Sequence, residues 1–251
     1  MELETREDVA VLRLANGKAN AMSETFLARL NRLLDRLHES PARAAVLVGT
    51  GNAFSAGLDL PSLIGLSRDA MRAFIGEFEH TMLRVFRLAR PVVAAVNGHA
   101  IAGGCVLALQ ADVRIAAAGG ARIGLNEAAI GIGLPSTVLE TLRCQVAPAS
   151  LVPIALEGRL FGVEDALRVG LVDEIVEPAA LEARAVERAR SLAAVGAAAF
   201  AQVKAGLRRA ALETIERRRA DEAEAWLDTW FSADGQRLLR EAVARIAAKA
   251  P

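Results

Sequence analysis

The chain of 251 residues balances 30 Lys+Arg against 30 Asp+Glu, with 53% hydrophobic residues, 4% aromatics and no Tyr. Neutrality argues against a nucleic-acid binder, whose affinity rests on surplus Lys and Arg. Two Cys and three scattered His, with no H-E-x-x-H spacing, argue against a disulfide scaffold and any metal site. No apolar run reaches the roughly 18–20 residues of a membrane span. The acidic start, Met1-Glu2-Leu3-Glu4, lacks a signal-peptide core, so a soluble cytoplasmic protein is expected.

In chain order, Val9 to Leu14 reads as a strand ended by the turn signal Asn16-Gly17. Ser23 is placed to cap a helix whose Phe26, Leu27, Leu30, Leu33, Leu34 and Leu37 recur at helical spacing, with Pro41 closing it. Ala44 to Val48 is a second buried strand, ended by Gly49-Thr50-Gly51-Asn52. A long amphipathic helix is predicted over about 67–88, turning Met71, Phe74, Phe78, Met82, Val85 and Phe86 inward. After Pro91, Val92 to Val96 is a third strand. Asn97-Gly98 turns, Gly103-Gly104 opens a short helix to about Gln110, and Val113 to Ala116 is a further strand. These runs are too apolar for surface strands and alternate with helices, which indicates a mostly parallel, buried sheet and an α/β fold.

From about Ala179 the composition turns to Ala, Arg, Glu and Leu. Helices are predicted over 181–194, 197–211, about 213–230 and 234–248, with Asp234 a candidate cap for the last. Residues 1–190 read as a catalytic core and 191–251 as a helical appendage. Trp226, Trp230 and Phe231 are expected either in the intramolecular core or at an oligomer contact.

Three segments could carry chemistry. In Phe54-Ser55-Ala56-Gly57-Leu58-Asp59-Leu60, small residues let a ligand approach the backbone. In Asn97-Gly98-His99-Ala100-Ile101-Ala102-Gly103-Gly104-Cys105, a strand leads into a helix start whose free N–H groups favour negative charge. Either segment alone is also what plain backbone geometry would give. Neither has P-loop or G-x-G-x-x-G spacing, which disfavours nucleotide phosphate binding. In Ile123-Gly124-Leu125-Asn126-Glu127-Ala128-Ala129-Ile130-Gly131-Ile132, one carboxylate sits in an apolar stretch. Either it salt-bridges an Arg at the surface, or burial raises its pKa and makes it a general base. Asp59 reads as a cap for the following turn, Asp112 and Asp173 as structural, His99 as packed or hydrogen-bonded, and Cys105 as a small buried filler.

Together, in this order and spacing, the three segments resemble the crotonase (enoyl-CoA hydratase/isomerase) superfamily. Lys18-Ala19-Asn20-Ala21-Met22-Ser23 and Glu164 to Asp173 extend the resemblance along the chain. It implies a spiral of ββα units followed by helices that build a homotrimer, often stacked into a hexamer. It also implies an acyl-CoA thioester as substrate, with no permanently bound cofactor. By motif, the oxyanion-hole N–H donors are those of Leu58 and Gly103. The CoA and substrate contacts are Lys18, Ala19, Ala21, Ala56, Gly57, Asp59, Leu60, Gly104 and Asn126, and the catalytic residue is Glu127. Hydratases of the family carry a second Glu after Gly-Gly-Cys, where this chain has Val106. Valine neither exchanges a proton nor holds a water. The motifs are closest to Δ3,Δ2-enoyl-CoA isomerases of fatty-acid metabolism, in which one Glu shuttles the proton. The alternatives are a hydratase, another specialised crotonase reaction, and a non-catalytic acyl-CoA-binding protein.

Overall fold

A computed structural model describes residues 1–17 and 19–248. The chain opens with β1 (Glu2–Arg6), β2 (Val9–Leu14) and α1 (Glu24–Glu39). Three further strand pairs follow, each leading into a helix. They are β3 (Ala44–Gly49), β4 (Ala53–Ser55), then α2 (Leu60–Leu63) and α3 (Arg68–Phe86); β5 (Val92–Val96), β6 (His99–Ile101), then α4 (Gly103–Leu109); and β7 (Val113–Ala117), β8 (Ile123–Gly124), then α5 (Ser136–Gln145). The chain continues through α6 (Val163–Arg168), β9 (Glu174–Val176), α7 (Leu181–Ala193), α8 (Ala197–Phe231) and α9 (Ala233–Ala248).

The first strand of each later pair joins a six-stranded sheet of order β1-β2-β3-β5-β7-β9, and the second joins a three-stranded sheet, β4-β6-β8. Of the pairings between these strands among the described residues, only β1–β2 is antiparallel. This is the expected ββα spiral of the crotonase fold. Each turn adds one strand to each sheet, so both sheets grow side by side.

The large sheet is buried on both faces, as its continuous apolar strands require. Alternate residues Ala10, Leu12, Leu14, Ala45 and Leu47 face the main core with α1, α3, α4 and α5. Their neighbours Val9, Val11, Val46, Val48, Val93 and Ile115 face α7, which lays a stripe of Leu181, Ala185, Ala189 and Ala193 against them. Ser23 caps α1, accepting from the Phe26 N–H, and Ser67 caps α3 likewise from Ala70. All six inward residues predicted for α3 are buried.

Several expectations need correction. The two helices predicted over 197–211 and 213–230 are one 35-residue helix, α8, because no Gly or Pro stands at the proposed break. The last helix is capped by Ser232, whose hydroxyl accepts from the Gly235 N–H, while Asp234 lies inside its first turn. Asp59 occupies the N-cap of α2, but its side chain makes no capping bond; its carbonyl accepts from Ser62 and Leu63. The acidic N-terminus forms β1.

Position 190 falls within α7. Trp226, Leu227, Trp230 and Leu239 belong to the same core as the helices of the spiral. Asp112 receives the Val92 N–H, Lys204 and Arg208, tying α8 to the sheet. Asp173 pairs with Arg114. Among the described residues, no helix is long and apolar enough to cross a membrane.

Candidate active site

The small sheet collects the three singled-out segments. Its strands are parallel, with Ala53 opposite His99, Ser55 opposite Ala100, Ala100 opposite Ile123 and Ile101 opposite Gly124. Parallel strands end at a common edge. There β4 runs into Ala56-Gly57-Leu58, β6 into Ala102-Gly103-Gly104, and β8 into Leu125-Asn126-Glu127. Leu58, Gly103 and Glu127 line one cavity at this edge.

The first two turns press together closely. A Cβ on Gly57 would lie 2.7 Å from the Ile101 carbonyl oxygen and 2.9 Å from the Gly103 nitrogen, and Gly57 has φ +84°. Only glycine meets both conditions. Gly104 is as tightly held, since a Cβ there would lie 2.0 Å from the Ser55 carbonyl oxygen. Ala102 takes φ +51°, a strained value for a residue with a side chain, just before Gly103 opens α4. Among the described residues, neither the Leu58 nor the Gly103 N–H has a hydrogen-bond acceptor. One sits outside regular structure and the other in the unpaired first turn of a helix.

Glu127 is 8% exposed, and its Oε2 has no partner. No cation pairs with it among the described residues. Loss of hydration is offset only in part, by the residue's own backbone N–H, and burial pushes its pKa up to about 7. The surface salt bridge considered for it is not formed. Leu125, Ile130 and Ile132 are buried around it. Val106 lines the same cavity with Ile75, Phe78, Ile132, Leu134, Val138 and Trp226, so its wall is otherwise apolar. The cavity encloses about 20 Å³, room for one water. The Cys105 thiol behind it is pushed up by burial and by Glu127, so it stays protonated.

Several other residues named from the resemblance lie beside the Gly57 turn. Met22 donates to the Gly57 carbonyl, Asp59 donates to that of Met22, and Ala56 donates to that of Ala19. These bonds bring Ala19, Ala21, Ala56, Asp59 and Leu60 beside the Gly57 turn. The Ala56 carbonyl accepts no bond among the described residues. Asn126 has a buried Oδ1 without a partner. Lys18 lies outside the described residues. His99 accepts the Arg122 N–H through Nδ1, the hydrogen-bonded of the two roles expected.

Sequence reasoning missed two parts of this arrangement. Asn20, fully buried at φ +50°, donates to the Ala53 carbonyl at 3.0 Å and accepts the Asn16 N–H at 2.8 Å, latching the 16–22 loop to β4. Glu79 of α3, 1% exposed, accepts from the Thr137 hydroxyl at 2.7 Å. Burial raises its pKa. Nothing local in the sequence marks Glu79 as buried; the packing of α5 and α8 against α3 does so.

A ββα spiral with these motifs at its small-sheet edge defines the class: an enzyme of the crotonase superfamily, whose members act on CoA thioesters. Residues 4–243 match the enoyl-CoA hydratase/isomerase family, and the chain belongs to that family. It is 31% identical to human mitochondrial enoyl-CoA delta isomerase 1, over 85% of this chain and 72% of the relative. It is 32% identical to the crotonyl-CoA hydratase of Syntrophomonas wolfei subsp. wolfei, over 89% and 87%. The crystal structure of human mitochondrial delta3-delta2-enoyl-CoA isomerase superposes with a TM-score of 0.94 at 28% identity, covering 100% of this chain and 99% of that one.

Proposed function

We propose that the protein isomerises 3-enoyl-CoA thioesters to trans-2-enoyl-CoA, with Glu127 as the single acid/base. The observation that carries this reading is the partnerless Glu127 carboxyl, which shares an otherwise apolar cavity with two acceptor-free N–H groups and with Val106. The ionised Glu127 takes a proton from C2; the electron pair of that bond forms C1=C2 and pushes the carbonyl pair onto the thioester oxygen, a dienolate conjugated with the C3=C4 bond still in place. The N–H groups of Leu58 and Gly103 hold that oxygen, since backbone donors aimed at developing charge lower the barrier without reorganising. The protonated Glu127 returns the proton at C4, the double bond settles between C2 and C3, and the carboxylate is regenerated. No water enters the balance. Hydration needs a second group to hold and deprotonate water, and Val106 offers none.

The test is a spectrophotometric comparison of 3-hexenoyl-CoA isomerisation with crotonyl-CoA hydration. Isomerisation faster by at least about a hundredfold is expected. Efficient hydration by the unaltered protein would overturn the reading and favour the hydratase alternative.

The CoA moiety is assigned to the turn beside Ala19, Ala21, Ala56, Gly57, Asp59 and Leu60, where the free Ala56 carbonyl supplies an acceptor. The assembly proposed is a homotrimer or a hexamer. Its support is the apolar surface around the start of α8, where Val195 in the preceding turn and Val203 and Leu207 on the helix are 50%, 55% and 74% exposed. A monomeric mass by sedimentation equilibrium would overturn the assembly.

A further inference from the structure

The apolar wall of the Glu127 cavity is drawn from several helices, among them Phe78 of α3, Val106 of α4 and Val138 of α5. Behind these three residues runs a set of polar side chains, Glu79, Gln110, Thr137 and Thr141, all buried. Glu79 follows Phe78 in α3, and its carboxylate accepts from the Thr137 hydroxyl at 2.7 Å. Thr137 precedes Val138 in α5. The Thr141 hydroxyl donates to the Thr137 carbonyl at 2.7 Å and lies 3.5 Å from the Gln110 Oε1. Gln110 ends α4 and donates through Nε2 to the Val106 carbonyl at 2.9 Å. Each wall residue is thus bonded to the polar set or is the chain neighbour of one of its members.

Two observations single out Glu79 within the set. Helix α5 begins after Pro135, which offers no side chain to cap it. The Glu79 carboxylate, brought from another helix, meets Thr137 in that first turn, where unpaired N–H groups favour negative charge. Its nearest cation is Arg219 of α8, 3.9 Å away and 43% exposed across the cleft between α3 and α8. Burial raises the pKa of Glu79, and the Thr137 hydroxyl, Arg219 and the Thr137 N–H oppose that rise. A carboxylate buried with so little compensation costs stability that an apolar residue would not.

We propose that Glu79 is a positioning residue, whose bond to Thr137 caps α5 and sets the wall of Phe78, Val106 and Val138 against which the acyl group lies beside Glu127. This rests on the acyl-CoA reading of the Glu127 cavity. Glu79 moves no proton in the reaction. It locks the helix that carries Phe78 to the helix that carries Val138, and through α5 to the helix that begins at Gly103. Loss of the lock lets the wall shift, and a displacement of about 1 Å is enough to spoil the alignment of C2 and C4 with the Glu127 carboxyl.

The test separates positioning from stability. Free CoA and hexanoyl-CoA, an inert saturated thioester, are titrated by calorimetry into the unaltered protein, Glu79→Ala, Glu79→Gln, Thr137→Val and Thr137→Ser. The pH–rate profile of 3-hexenoyl-CoA isomerisation is recorded for each. Free CoA is expected to bind all five alike. Glu79→Ala and Thr137→Val should bind hexanoyl-CoA about tenfold more weakly and lose at least about tenfold in kcat. Glu79→Gln keeps an acceptor and Thr137→Ser keeps a hydroxyl, so both should stay within about threefold of the unaltered protein. The pH dependence persists in every variant, because the proton belongs to Glu127. Should Glu79→Ala fail to fold, the two Thr137 variants decide. A Thr137→Val protein of lower stability but unchanged kcat and unchanged preference for hexanoyl-CoA over CoA overturns the proposal. So does a pH–rate profile that turns flat in Glu79→Gln, which makes Glu79 the proton carrier. An unaltered protein that binds hexanoyl-CoA no more tightly than CoA overturns the acyl-CoA reading and the proposal with it. One that binds hexanoyl-CoA but does not isomerise 3-hexenoyl-CoA overturns the isomerase reading alone, and the binding ratios still decide for Glu79.

Discussion

Replacing Glu127 by Gln removes a proton-transfer group and, with it, a charge that the fold holds at a cost. An ordinary Glu at 4.5 is held here at about 7 because Oε2 is buried without a partner. At 1.36 kcal/mol per pH unit, the penalty on the ionised form is about 3 kcal/mol. The sign follows from where the proton sits. Below 4.5 both folded and unfolded chains carry it and nothing is lost. Between 4.5 and 7 the unfolded chain releases it while the folded chain keeps it, so stability falls as pH rises and levels off above 7. About 2 kcal/mol of the loss lies between pH 5.5 and 8. Glu127→Gln has no such proton. Urea denaturation of both proteins at the two pH values should therefore show the variant gaining on the parent by about 2 kcal/mol from pH 5.5 to pH 8, while isomerase activity drops about a thousandfold. A stability gap that is the same at both pH values, or a parent that gains on the variant at pH 8, would refute the buried, partnerless carboxyl. Activity within tenfold of the parent would refute its role.

Three further outcomes are expected. The kcat/KM for isomerisation should rise about tenfold per pH unit and level off near pH 7, since the ionised carboxyl is the base; a midpoint below pH 5.5 in the pH–rate profile would contradict burial as the cause. Gly57→Ala should cost about a hundredfold in kcat, because its Cβ collides with the Ile101 carbonyl and the Gly103 nitrogen, whereas Leu58→Ala keeps its N–H and should stay within about tenfold, both read by steady-state kinetics. Asp112→Ala strands the buried cations Lys204 and Arg208 and should lower stability by about 3–5 kcal/mol in urea; a loss under about 1 kcal/mol would show that they find other acceptors.

The large sheet and the long helices are legible in the sequence because each declares itself locally. The β-branched runs of β3 and β5 are too apolar to be anything but buried strands, and Ser23 and Ser67 mark helix starts ahead of strong periodicity. The small sheet escaped notice for an equally physical reason. Strands of three, three and two residues carry no measurable alternation, and their partners lie dozens of residues away in the chain. Yet it is this sheet that brings Leu58, Gly103 and Glu127 to one edge. The motifs could be found one by one from their residue types, but their convergence needed the fold. The unbroken α8 shows the opposite failure. Its Ala, Arg and Glu residues form helix throughout, and the lack of Gly or Pro between 211 and 213, which the two-helix reading passed over, is what leaves it unbroken.

The chain has no Tyr and two Trp, and both are in α8. Trp226 forms part of the wall of the cavity that holds Glu127, and its ring centroid lies 5.3 Å from that of Trp230. Nearly all the ultraviolet fluorescence of the protein therefore comes from one tilted pair of indoles beside the cavity proposed to receive the acyl group. No label or engineered reporter is needed: the natural emission of the molecule is an optical gauge of its own pocket.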